Sequence, residues 1–273
     1  MIRAKGEAGS MMGSGRIQHA VTIITGASGG IGRDTAHVFA RAGARLVLAS
    51  RTAGPLEALA EELRAGGADV LAVPTDVTSE ASVRALTEKA VERFGSIDIA
   101  IANAGVYVRS AVKDLPLEGI ERCMNVNFYG TVHLVRAVVP LMLQQHAGHI
   151  VAVTSVDGRI GLPPDAAYVA SKWAATGFMN VLRQELRGTG VYASTILPGR
   201  VDTPMIATLD VPLASAKISS ARVARAILRA VRTRRRELVI PFTGPKTLIV
   251  ASAVAPAIGD WLVRMLQLEG KER

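Results

Sequence analysis

The sequence predicts an α/β fold, a doubly wound parallel sheet with helices on both faces, built as one domain. Three observations carry this. Short apolar runs rich in β-branched residues alternate with longer helix-patterned segments from residue 21 to residue 197. The strand-like runs are apolar throughout and do not alternate with polar residues, as expected of strands covered on both faces. A glycine-rich turn stands between the first such run and the first helical segment. Right-handed crossovers between parallel strands then give the double winding.

The elements follow in order. Val21–Thr25 is the first strand, Gly26–Gly32 the glycine turn, and Asp34–Ala42 a helix. Arg45–Ala49 is a strand, and Pro55–Arg64 is helical, with proline where a first helical turn tolerates it. Val70–Pro74 is a strand, and Ser79–Phe94 a helix for which Ser79 is the N-cap. Ile97–Ala102, His149–Thr154 and Tyr192–Leu197 are strands. Leu117–Leu143 and Asp165–Arg187 are helical. Further on, Arg222, Arg225, Arg229, Arg232 and Arg236 recur at helical spacing opposite Ala224, Ile227, Leu228 and Val231. Leu238–Phe242 reads as a last strand, and Thr247–Leu268 is apolar and broken by Pro256. The chain therefore divides into a flexible tail (1–16), a catalytic domain (17–244) and a C-terminal extension (245–273).

Composition removes several alternatives. The single cysteine, Cys123, excludes an internal disulfide framework and a multi-cysteine zinc site, and no metal site is expected. Aromatic residues make up 4% of the chain, too few for stacking platforms on single-stranded nucleic acid. The net charge is +9, but Lys217–Arg273 holds 12 Lys/Arg against 4 Asp/Glu, so eight of those nine charges are local to it. That is a surface feature of one region, not the signature of a nucleic-acid binder. Residues 1–20 hold no apolar run long enough for a secretory signal, and Thr247–Gly259 is too short to span a bilayer, which needs about 20 residues. A soluble cytoplasmic protein is expected.

The turn Thr25-Gly26-Ala27-Ser28-Gly29-Gly30-Ile31-Gly32 spaces its glycines as G-x-x-x-G-x-G. Glycine permits positive φ and close approach of a ligand to the backbone, and the following helix N-terminus offers free N–H groups to a pyrophosphate. In a Rossmann-type sheet, the end of the second strand then decides between two cofactors. An acid there holds the ribose 2′-OH of NAD. Here the strand ends Leu48-Ala49-Ser50-Arg51, with no acid and a guanidinium able to pair with a 2′-phosphate. NADP(H) is therefore favoured over NAD(H).

Ser155 follows a strand, and Tyr168 and Lys172 lie four apart, on one face of a helix. A free tyrosine titrates near pH ~10. A lysine ammonium beside it would lower that value and let Tyr168 exchange a proton with a carbonyl or alcohol oxygen held by Ser155. With these residues the chain resembles the short-chain dehydrogenase/reductase family over about residues 17–243. The resemblance rests on Thr25–Gly32, Asp76-Val77, Asn103-Ala104-Gly105, Asn127, Ser155, Tyr168–Lys172 and Pro198-Gly199 in that order.

The resemblance implies a catalytic set of Asn127, Ser155, Tyr168 and Lys172. Asn127 would hold a water joined to Lys172, and Lys172 would also bond the nicotinamide ribose. It implies that Thr25, Gly26, Ser28, Gly30, Ile31 and Gly32 hold the pyrophosphate end, with Ser50 and Arg51 at the adenosine ribose. Asp76 and Val77 would meet the adenine ring, and Asn103, Ala104 and Gly105 would line the cofactor. Pro198, Gly199, Val201 and Thr203 would bind the carboxamide. The chain departs from NADP-preferring members in the turn itself, where Gly29 stands in place of a second basic residue, with Arg33 just beyond.

Substrate contacts fall on Val106–Arg109, Val156–Pro164 and Met205–Ala216, whose Tyr107, Ile160, Leu162, Met205, Ile206 and Leu209 suit a hydrophobic carbonyl or alcohol. Asp157 and Arg159 are the charged groups close to Ser155 in sequence. Val132, Val135, Phe178 and Leu182 suggest pairing through helices, giving a homodimer or homotetramer. The basic stripe and apolar C-terminal segment would form a lid, a subunit interface or a peripheral membrane contact. A non-catalytic NADP(H)-binding sensor of the same fold is the alternative to an enzyme. A serine hydrolase is excluded because Ala152–Gly158 lacks the G-x-S-x-G elbow around Ser155.

Overall fold

The computed structural model describes residues 17–212 and 215–272. The tail expected over residues 1–16 lies outside the described residues. In chain order the first half holds β1 (Val21–Thr25), α1 (Gly30–Arg41), β2 (Arg45–Ser50), α2 (Ala53–Ala65), β3 (Val70–Pro74), α3 (Glu80–Phe94) and β4 (Ile99–Ala102). There follow α4 (Leu117–Cys123), α5 (Gly130–Gln144), β5 (Gly148–Val153), α6 (Ala166–Glu185) and β6 (Val191–Pro198). The short strands β7 (Val201–Asp202), β8 (Leu209–Asp210) and β9 (Ile218–Ser219) lead to α7 (Ser220–Thr233) and β10 (Glu237–Ile240). The chain ends in α8 (Thr243–Val254), α9 (Pro256–Met265) and β11 (Lys271–Glu272).

Seven parallel strands form the central sheet in the order β10-β6-β5-β4-β1-β2-β3. The chain winds outward from β1 through β2 to β3, then returns to β4 on the other side of β1. That reversal opens a crevice at the carboxyl ends of β1 and β4, where ligands sit in folds of this kind. Neighbouring residues of one strand enter opposite cores. Ile24, Leu46 and Leu48 pack with Phe39, Leu56 and Ile227 on one face. Ile23 and Val47 pack with Leu86, Leu134 and Leu182 on the other. Double coverage is why the strands carry no polar alternation, and each such side chain fully buried contributes ~1.5–3 kcal/mol.

Local chemistry sets most boundaries. Ser79 caps α3 by accepting a hydrogen bond from the Ser82 amide at 3.2 Å, and Gly95 ends that helix in the left-handed region. Helix α1 starts at Gly30, four residues before the Asp34 expected from sequence, because Gly-Ile-Gly hides a helical turn behind poor helix formers. Strand β10 stops at Ile240, not Phe242, since Pro241 has no amide to donate to a ladder. Arg234 takes a left-handed conformation and ends α7, so Arg236 falls outside the helix and its stripe.

The apolar stretch 117–144 is long and apolar enough to cross a membrane by length and composition, but here α5 lies against β4 and β5 of the sheet and α4 against α6. A π-helical turn, Met124–Tyr129, joins the two and turns Asn127 inward to 1% exposure. Val135 and Leu182, expected to serve subunit pairing, are instead core residues; Leu117, Tyr129, Leu143, Trp173 and Val181 are the large apolar side chains exposed along 117–144 and α6. At the C-terminus, Leu248, Ile249, Val263 and Leu268 pack on Val156, Ile160, Leu197 and Val239.

Candidate active site

A cavity of about 830 Å³ opens at the carboxyl ends of the strands. One end is lined by Gly26, Ser28, Gly30, Ile31, Ser50, Arg51, Asp76, Val77, Asn103, Ala104 and Gly105. The other is lined by Ser155, Tyr168, Pro198, Gly199, Val201 and Thr203, with apolar walls from Ile160, Leu162, Met205, Ile206 and Leu209. Thr25, Gly32, Asn127 and Lys172 do not line it; they build the wall behind.

The glycine turn is welded to the turn after β4. The Thr25 hydroxyl accepts hydrogen bonds from the Asn103 and Ala104 amides at 3.0 and 3.1 Å. The Asn103 side-chain amide donates in return to the carbonyls of Thr25 and Gly26 at 3.0 and 3.2 Å. No side chain fits inside this weld: a Cβ on Gly32 would stand 2.1 Å from the Gly26 oxygen, and one on Gly26, at φ +64°, 2.8 Å from Ala104 Cα. What remains is bare backbone at a helix start, a cradle that fits the pyrophosphate of a dinucleotide.

At the end of β2, Arg51 is exposed at the cavity rim. The Asp76 carboxylate accepts hydrogen bonds from the Thr78 amide at 2.9 Å and its hydroxyl at 2.8 Å. The Thr78 amide, chiefly, holds it below the ordinary carboxylate range, with the Arg51 charge helping.

Ser155 stands two residues beyond β5, and Tyr168 and Lys172 stand one turn apart on α6, so strand and helix bring the three together. Ser155 and Tyr168 both face the cavity. The Lys172 ammonium donates to the Val153 carbonyl at 3.1 Å and lies 5.6 Å from the centre of the Tyr168 ring. Asn127 accepts from the Val106 amide at 2.8 Å and donates to the Val106 carbonyl and the Ser171 hydroxyl, fixing the loop in front of Lys172.

The electrostatics differ from the sequence expectation. Lys172 does not bring the Tyr168 phenol below its ordinary value. Burial pushes it up, and the neighbouring Asp157 charge adds to this. Lys172 is itself lowered to about 8 by burial. Desolvation disfavours the charged form of both groups.

Behind the substrate end lies a buried polar cluster that local sequence did not reveal. The Tyr107 phenol donates to Asp165 at 2.7 Å, and Arg109 pairs with the same carboxylate at 3.1 Å. Arg109 also donates to the Gly270 carbonyl at 3.0 Å, and Arg200 donates to the Leu268 carbonyl and the Ser215 hydroxyl. Two arginines from active-site loops thus grip the last residues of the chain, and β11 pairs with β8 beside them. Leu248, Leu266 and Leu268 join the cavity wall in consequence. Arg159 is turned to Glu237 at 2.7 Å, whereas Arg222 of the basic stripe reaches the cavity.

Comparison with known proteins agrees with this geometry. The family model described as short chain dehydrogenase matches residues 20–212. The chain is 32% identical over 259 residues to dehydrogenase/reductase SDR family member 7B of Bos taurus, covering 89% of this chain and 79% of that protein. Among solved structures, an alcohol dehydrogenase from the archaeon Thermococcus sibiricus, complexed with 5-hydroxy-NADP, aligns with a TM-score of 0.74 and 29% identity over 81% of this chain and 95% of that one. A short chain dehydrogenase/reductase from Burkholderia phymatum in complex with NAD aligns with a TM-score of 0.78 and 29% identity over 94% and 98%.

Proposed function

Since this chain belongs to the short-chain dehydrogenase family of nicotinamide-dependent oxidoreductases, we propose that it interconverts a hydrophobic carbonyl compound and its alcohol with NADP(H). The observation that carries this is the meeting of Ser155 and Tyr168 on the wall of one cavity that continues to the glycine turn. When bound, the nicotinamide supplies or accepts the hydride at the carbonyl carbon. Ser155 holds the substrate oxygen. Tyr168 donates its phenolic proton to that oxygen during reduction and takes one back during oxidation. Lys172, buried behind Gly105, replenishes the proton, and Asn127 fixes the loop that encloses it. Consumption of NADPH and NADH against a panel of ketones and aldehydes tests the reading. Cofactor binding without turnover of any of them would make the protein a sensor instead.

The preference for NADP(H) rests on Arg51 at the rim and on the absence of an acid beside it. Arg51→Ala is expected to weaken NADPH about 10- to 100-fold, the worth of a charge-assisted phosphate contact, and to leave NADH nearly unchanged. Fluorescence titration with both cofactors reads this. Equal losses would reduce Arg51 to a surface residue.

We read the C-terminal extension as a lid, because Arg109 and Arg200 hold its backbone over the substrate end. Removal of residues 268–273 is expected to spare cofactor affinity and to raise KM for apolar ketones about tenfold, as the Leu268 side chain leaves the wall. Unchanged kinetics would release the extension from this role. Val250, Val254, Ile258 and Trp261 remain exposed on α8 and α9. A homodimer or homotetramer in light scattering would assign that face and the exposed residues of α5 and α6 to subunit pairing, and liposome co-sedimentation would assign it to a membrane surface.

A further inference from the structure

Asp157 is a carboxylate that the proposed relay does not use, yet it touches the relay directly. It sits in a tight turn, Val156–Gly158, that Ser155 opens. The Ser155 hydroxyl donates to Asp157 Oδ2 at 3.2 Å and accepts from the Asp157 amide at 3.1 Å. The turn has no freedom to swing away. A Cβ on Gly158 would stand 2.5 Å from the Thr176 hydroxyl and 2.9 Å from the Lys172 carbonyl, so the backbone lies flat on α6.

The charged and titratable groups around Asp157 come from four places. Ser155 faces it from its own turn, and Tyr168 and Lys172 from α6. Asp165 faces it from the residue before that helix, and Arg200 from the loop after β6. Arg200 is engaged by Ser215 and the Leu268 carbonyl, and Asp165 by Tyr107 and Arg109. Burial first, then the Asp165 charge, raises the Asp157 carboxyl to about 6, against the Ser155 hydrogen bond and the charges of Arg200 and Lys172.

A hydroxyl has one proton to donate. While Ser155 donates to an ionised Asp157, it cannot also donate to a substrate oxygen. We propose that Asp157 is a positioning residue that sets the direction and pH range of the reaction: its carboxylate form claims the Ser155 hydroxyl and keeps Tyr168 a phenol, and its acid form releases Ser155 to the substrate. The inference rests on the oxidoreductase reading above. The relay then favours carbonyl reduction on the acid side of neutrality, where Ser155 is free and Tyr168 carries the proton to be given. Alcohol oxidation, which needs Tyr168 to accept a proton, is held back while Asp157 is charged.

The test compares wild type, Asp157→Asn and Asp157→Glu. For wild type, kcat/KM for ketone reduction should fall as pH rises through about 6. That limb should vanish in Asp157→Asn and return in Asp157→Glu. Alcohol oxidation at pH ~7 should rise about tenfold in Asp157→Asn, the effect of removing a like charge beside the phenol. Carbon-13 NMR of aspartate-labelled, cofactor-free protein, assigned with Asp157→Asn, should show a carboxyl with a midpoint near 6. Turnover with superimposable pH profiles for wild type and Asp157→Asn overturns this inference alone, as does a midpoint at the ordinary ~3.9. No turnover by the wild type with either cofactor overturns the oxidoreductase reading and this inference with it.

Discussion

Replacement of Tyr168 by phenylalanine is expected to lower kcat by about a thousand-fold, with NADPH affinity within a few-fold of wild type. The ring survives the change, and with it the edge-on contact to Tyr107 at 5.1 Å between centroids. The hydroxyl does not, and no neighbour replaces it as a proton donor: Ser155 is tied to Asp157, and the Lys172 ammonium lies behind the cavity wall, bonded to Val153. General acid–base catalysis contributes ~10²–10⁴ to a rate, which sets the scale. Stopped-flow hydride transfer beside a cofactor titration separates the two quantities. Near-wild-type turnover would remove Tyr168 from the chemistry.

Gly32→Ala should do its damage differently. The new methyl would stand 2.1 Å from the Gly26 oxygen and 2.8 Å from the Asn103 amide nitrogen, and neither can retreat without breaking the weld between the turns after β1 and β4. Overpacking of this kind costs ~3 kcal/mol, which for a chain of this size is a fall of roughly 6–12 °C in Tm. Dinucleotide affinity should fall with it, since the cradle is the part displaced. Gly29→Ala is the control. A Cβ there meets nothing within 4 Å, and the residue is extended at φ −162°, so its Tm should move by about 2 °C at most. Similar Tm values for the two variants would mean that the turn yields where packing says it cannot.

Much of the architecture was legible in the sequence because it is written locally. Val21–Thr25 or Val70–Pro74 declares itself by an apolar run a few residues long, and the Ser79 cap by one side chain beside one amide. Tyr168 and Lys172 share a face through helical spacing alone, and Ser155 closely follows a strand that its apolar run declares. The remainder depends on distance. The partnership of Arg109 with Asp165 spans 56 residues and that with Gly270 spans 161, and no periodicity encodes either. The π-helical turn that buries Asn127 lies inside an ordinary helical pattern. The direction in which Tyr168 is shifted depends on distance for the same reason. Only Lys172 is visible as its neighbour along the helix, whereas the burial and the Asp157 charge that push the phenol up come from the folded chain.

The grip of Arg109 and Arg200 on Gly270 and Leu268 also makes the two ends of the cavity depend on different stretches of chain. The contacts that weld the glycine turn lie between residues 25 and 104, whereas the wall at the substrate end draws on residues as distant as Leu268. A chain clipped before Leu268 would keep the first set of contacts and lose the second. The same geometry bears on handling: a purification peptide fused after residue 273 would start four residues beyond Gly270, which Arg109 holds.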